Sequence, residues 1–267
     1  MKRVGMILLL VIVLIVAFLG FKKYNTTDSI LKKVQSDAGN NDTVTIFVGG
    51  YGSSPNAFND MVNAFHNNGL TTEKIRVNIT NNGKIDVDTK QKQLKNETIQ
   101  VAFKRNKDPL YQEKLFPKVM KKLHLEYNVN KVNLVGHSMG GLIELAYLTG
   151  NHRNEYPKVI KFATIATPYK RFFKTNNNIS RSVDQIESNL KNVPSNLQVL
   201  NMGGHINGKD SDGVVPVAGI KEFGPMIKPH VASYKERIFE GTEGQVQHSN
   251  LRHNSKVIDT LAEFLWK

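Results

Sequence analysis

The chain contains no cysteine. That absence excludes disulfides, thiolate metal sites, a cysteine nucleophile and a lipid-modified N-terminal cysteine together. It leaves the compartment open, because a cysteine-free chain tolerates oxidising and reducing surroundings equally. Acid is also scarce: 23 Asp and Glu stand against 36 Lys and Arg, a net charge of +13. The basic surplus is scattered in pairs such as Lys32–Lys33 and Lys121–Lys122, with no long run. Zinc-finger spacing and the aromatic-basic signature of an RNA-recognition sheet are both missing, which argues against nucleic acid as a partner. A surface of this kind suits anionic polymers or lipid head groups. The sequence also lacks the G-K-[ST] ending of a phosphate loop and the G-x-G-x-x-G turn of a dinucleotide site. With 40% hydrophobic residues there is enough material for a proper core.

One long apolar run is present. After Lys2 and Arg3, no charge occurs from Val4 to Phe21. At about 1.5 Å per residue a helix of this length spans roughly 27 Å, close to a bilayer's hydrocarbon core. A cleaved signal has a shorter apolar stretch and a small-x-small cleavage site, and Ala17-Phe18-Leu19 is a poor one. The expectation is an uncleaved single-pass membrane helix within residues 1–25, a polar stalk over 26–42, and a domain over 43–267 facing outward. Secretion after cleavage is the alternative. Lys22 and Lys23 nearly balance Lys2 and Arg3, so charge alone does not orient the segment.

From Thr43 strands and helices alternate. TVTIFVGG reads as a strand, and FNDMVNAFHNNG as a helix with Phe58, Met61, Val62 and Phe65 on one face. KIRVNITNNGKIDVDTK reads as a hairpin around Asn82-Gly83, and NETIQVAFKRN as a further strand. YQEKLFPKVMKKLHLEYN is helical in pattern, with an irregularity expected at Pro117. KVNLV, KVIKFATIATP, LQVLNMGG and SYKERIFEG read as strands; LIELAYLTG and SKVIDTLAEFLWK read as helices. This alternation predicts an α/β fold with a mostly parallel central sheet and helices on both faces. Inserts are expected at about 80–105 and 170–194, the latter polar, Asn-rich and without clear periodicity.

The stretch VNLVGHSMGGLIELAY, residues 132–147, places Ser138 in a G-x-S-x-G pattern between a strand and a helix. In that context the pattern is a nucleophile elbow: a strained turn lifts the hydroxyl above the sheet, and small neighbours let strand and helix approach. A serine needs a base, and the base needs an orienting acid. In the α/β-hydrolase order the acid follows a late strand, where Asp212 in SDGVVP is the candidate and Asp210 the alternative. The base belongs between the last strand and the last helix. Of eight histidines, His248 stands there; His253 follows a turn later, and His230 precedes the strand. His205 and His137 lie near the acid and the serine, with side chains expected to point elsewhere. The backbone N–H groups of Met139, directly after the serine, and of Tyr51, in the glycine-rich loop after TIFV, are the candidate oxyanion donors.

With IFVGGYGSS, the hairpin carrying GKIDVD, ETIQVAF, VNLVGHSMGGL, SDGVVP, HSNLRHN and the closing FLWK in place, the chain resembles the α/β-hydrolase superfamily. More narrowly it resembles the uncharacterised Gram-positive cell-surface hydrolases of domain-of-unknown-function family 915. The resemblance spans roughly residues 43 to 267 and implies the same triad, Ser138, Asp212 and His248. Relatives usually carry His-Gly where this chain has Gly49-Gly50, so the anchoring of that loop is expected to differ. The expected function is an extracytoplasmic serine hydrolase of carboxylic esters, lipid esters included, working through an acyl-enzyme. It needs no metal and no organic cofactor. The alternative is an inactive surface protein of the same fold that grips anionic polymer or lipid.

Overall fold

The computed structural model describes residues 30–37, 41–150, 152, 155–169 and 177–267. The membrane segment expected within 1–25 lies outside the described residues, as do 26–29 and 38–40 of the expected stalk; residues 30–37 of that stretch instead form a helix that buries Leu31 and Val34 against the domain. Among the described residues no helix is long and apolar enough to cross a membrane.

The strands are β1 (Val44–Val48), β2 (Lys74–Ile79), β3 (Ile85–Val87), β4 (Thr98–Phe103), β5 (Lys131–His137), β6 (Lys158–Ile165), β7 (Gln198–Ile206) and β8 (Ser233–Gly241). A helix α1 covers 30–37. It is followed by α2 (Asn59–Asn67), α3 (Pro109–Tyr127), α4 (Met139–Thr149) and α5 (Asn177–Ser188). Then come α6 (Val217–Lys221), α7 (Phe223–Ile227), α8 (Glu243–Val246) and α9 (Ser255–Trp266). The strands form one eight-stranded sheet in the order β3-β2-β4-β1-β5-β6-β7-β8. Every pairing is parallel except the β2–β3 hairpin. This is the α/β-hydrolase fold.

Strand alternation feeds two cores. Val44, Ile46 and Val48 of β1, with Val132 and Leu134 of β5, face one layer. Phe47 and Val135 face the other. The first layer is closed by Phe116 and Met120 of α3, Leu142 of α4 and Val183 of α5. The second is closed by Leu31 of α1, Met61 and Phe65 of α2, and Leu261 and Trp266 of α9. There Phe65 meets Trp266 edge to face, with ring centroids 4.9 Å apart.

Three details depart from the sequence reading. The α3 helix runs unbroken through Pro117, started by Pro109 and an Asp108 cap and stopped at left-handed Asn128. Of the span 80–105, β3 is a short antiparallel addition at one edge, while β4 lies inside the sheet between β2 and β1. The span 170–194 contains α5, which buries Val183 and Ile186 three residues apart and is followed by buried Leu190. Asparagines around these few apolar positions hide the helical period in the sequence.

Candidate active site

Ser138 sits where β5 ends and α4 begins. Its backbone is left-handed in φ (53°, with ψ −126°), a conformation an L-residue adopts only under constraint. The constraint is tight packing around the turn. A Cβ on Gly136 would stand 2.4 Å from the Gly141 Cα, and one on Gly140 would stand 2.1 Å from the Val48 carbonyl oxygen. Gly50 lies directly against the serine: a Cβ there would come within 2.8 Å of the Ser138 Cβ.

The three side chains expected to act together are brought together. His248 Nε2 is 3.0 Å from Ser138 Oγ, and His248 Nδ1 is 2.8 Å from Asp212 Oδ2. Asp212 is fully buried, and its other oxygen, Oδ1, accepts the backbone N–H groups of Val214 and Val215 at 2.9 and 2.6 Å. The acid is therefore fixed in both position and rotamer. The Asp212 main-chain carbonyl also accepts the His248 N–H at 2.9 Å. This arrangement can carry a proton from the serine to the imidazole while the carboxylate steadies the resulting charge.

The alternatives fall away from the serine. Asp210 is exposed. His253 Nδ1 pairs with Asp60 at 2.8 Å on the surface. His205 stands 3.5 Å from Glu240, and His230 closes a short turn before β8. His137 does not point elsewhere, as the sequence suggests. It is buried, with Nε2 2.9 Å from the His248 carbonyl oxygen.

The glycine-rich loop after β1, where the oxyanion is expected, is anchored by its own hydrogen bonds. The Gly52 N–H donates to the Asn106 carbonyl at 2.8 Å, and Asn106 Nδ2 donates to the Ser53 carbonyl at 3.0 Å. Ser53 itself occupies the space beside Gly49, where a Cβ would come within 2.7 Å of the Ser53 Cβ. Among the described residues, neither the Tyr51 nor the Met139 N–H donates to a protein acceptor. Asn106 is a supporting residue that the sequence does not reveal.

Beneath the elbow lies Glu144 of α4, completely buried, its carboxyl oxygen 2.6 Å from where a Cβ of Gly136 would stand. Burial pushes its pKa well above the usual carboxylate range, opposed only by the Val135 backbone. The folded protein therefore keeps a proton there that the unfolded chain releases above about pH 4.5. This group's stabilising contribution is complete below that pH and declines as pH rises toward the folded pKa, by about 1.4 kcal/mol per pH unit. Glu144→Gln, which carries no such proton, is expected to lose less melting temperature than wild type between pH 5 and pH 8. Parallel melting curves for the two proteins across that range would mean that Glu144 does not hold its proton in the fold.

Comparison with known proteins identifies the family. A family model for the alpha/beta hydrolase of unknown function (DUF915) matches residues 32–267. The chain belongs to this family. Among solved structures, the product of the lin2722 gene of Listeria innocua is similar at 23% identity and a TM-score of 0.76, over 85% of this chain and 94% of that one. A protein of Lactobacillus plantarum WCFS1, named as an inferred cell surface hydrolase, is 20% identical with a TM-score of 0.69, over 85% of this chain and 92% of that one. The esterase Pf2001 of Pyrococcus furiosus is 16% identical with a TM-score of 0.51, over 84% and 83% of the two chains. At these identities the likeness establishes the fold. Curated proteins give no significant match. By this family match the protein is an α/β hydrolase.

Proposed function

We propose that this hydrolase cleaves carboxylic esters through an acyl-enzyme on Ser138. His248 takes the Oγ proton at Nε2 as the oxygen attacks the ester carbonyl, and Asp212 holds the imidazole and steadies its positive charge. The N–H groups of Tyr51 and Met139 receive the oxyanion. The proton then passes from His248 to the departing alkoxide. Water repeats the sequence on the acyl-enzyme, giving the carboxylic acid and restoring Ser138. The observation that carries this reading is the unbroken path Asp212–His248–Ser138, at 2.8 and 3.0 Å, ending on a serine held in a strained backbone.

Apolar acyl groups suit the rim, where Tyr51 and Val214 on two flanking loops are 63% and 47% exposed. The uncharged run from Val4 to Phe21 supports a membrane-tethered domain, and the likeness to the cell surface hydrolase of Lactobacillus plantarum supports a place outside the cell. Residues 28–267 of wild type and Ser138→Ala, treated with a fluorophosphonate probe and with acyl esters of increasing chain length, test the proposal. Wild type is expected to label and turn over, and the variant to do neither. Wild-type protein that is folded yet unlabelled would instead favour the inactive, polymer-gripping alternative.

A further inference from the structure

His137 precedes the nucleophile, is buried, and belongs to no step of the reaction just described. Its Nε2 lies 2.9 Å from the main-chain carbonyl oxygen of His248, 111 residues away in sequence. A carbonyl only accepts, so the hydrogen of this imidazole resides on Nε2. Its Nδ1 is buried and, among the described residues, has no hydrogen-bond partner. The two imidazole rings stand 4.7 Å apart, tilted by 55°. The His248 peptide is therefore held from both ends. Its N–H goes to the carbonyl of Asp212 and its C=O to the side chain beside Ser138.

We infer that His137 is a positioning residue, whose Nε2–H fixes the backbone of the base relative to the nucleophile and so sets the His248–Ser138 distance. The inference rests on the proposed roles of Ser138 and His248. His248 comes from a loop, whereas Ser138 comes from the end of a central strand, and proton transfer needs the two held within a few tenths of an ångström. His137 is part of that strand, so its hydrogen bond ties the loop to the sheet at the point of chemistry. Burial, then the neighbouring His248 and Arg252, hold the His137 imidazole well below its ordinary range, so it stays a neutral donor. A neutral neighbour also leaves the positive charge of the reaction to His248.

Gln and Asn separate positioning from packing, because the Gln amide nitrogen reaches about where Nε2 lies and the Asn nitrogen only about as far as Nδ1. The experiment compares wild type, His137→Gln, His137→Asn and His137→Phe by fluorophosphonate labelling and ester kinetics, with rates expressed per labelled serine. The Asn and Phe variants are expected to lose about 10- to 100-fold in kcat with KM changed less than about twofold, and Gln is expected to recover most of the loss. Equal activities for Gln and Asn, or a Phe variant as active as wild type, would overturn the inference. So would failure of all three variants to fold, which would make His137 a core residue only. Wild-type protein that does not label overturns the proposed reaction instead, so the two failures are distinct.

Discussion

Asp212→Asn is expected to fold as the wild type does and to lose on the order of 10⁴-fold in kcat. The size follows from which oxygen is committed where. Oδ1 of Asp212 accepts two main-chain N–H groups, from Val214 and Val215, and Oδ2 accepts from His248 Nδ1. An asparagine in this site must keep its oxygen toward the two N–H groups, since turning it would set an NH₂ against two donors in a fully buried place. The NH₂ then faces His248, which can meet it only with a bare Nδ1. The imidazole hydrogen moves to Nε2, where it opposes the Ser138 hydroxyl and removes the base. Folding is spared because the loop contacts, including the His248 N–H to the Asp212 carbonyl, are main-chain and unchanged. Steady-state ester hydrolysis beside a thermal melt checks both halves. A kcat loss below about tenfold would assign the orienting role to another group.

The turn at Ser138 is legible in the sequence because its determinants are local: glycines around one serine, between an apolar strand and an apolar helix. The meeting of Asp212 and His248 at that serine is legible through their order in the chain, since a parallel sheet delivers successive loops to one end. What escaped was long-range or diluted. Nothing beside His137 in the sequence announces a carbonyl 111 residues on, and nothing beside Asn106 announces its contact with the loop at Ser53. Glu144 reads as one polar position in an apolar helix, which commonly means a solvated face; here the helix is buried nearly all round. The inner place of β4 depends on which parallel neighbour wins across the sheet, a matter of packing that alternation within one strand does not encode.

The tight elbow makes a second large effect predictable. Gly140→Ala is expected to cost about 3 kcal/mol or more and to lower the melting temperature by roughly 6–12 °C. Its new Cβ would stand 2.1 Å from the carbonyl oxygen of Val48 and 2.8 Å from that of Gly49. Both are main-chain atoms, so no side-chain rotation relieves the overlap. Either α4 moves off the end of β1, or the loop carrying Tyr51 moves off the serine. The second outcome lowers activity as well as stability, because it displaces the Tyr51 N–H that we propose receives the oxyanion. Gly244→Ala is the matched control: nothing lies within 4 Å of its Cβ, and it sits in α8, where alanine is the better helix former. That variant is expected to melt at or slightly above wild type. If Gly140→Ala melts within about 2 °C of Gly244→Ala, α4 is not pressed against β1, and the strain at Ser138 must have another source.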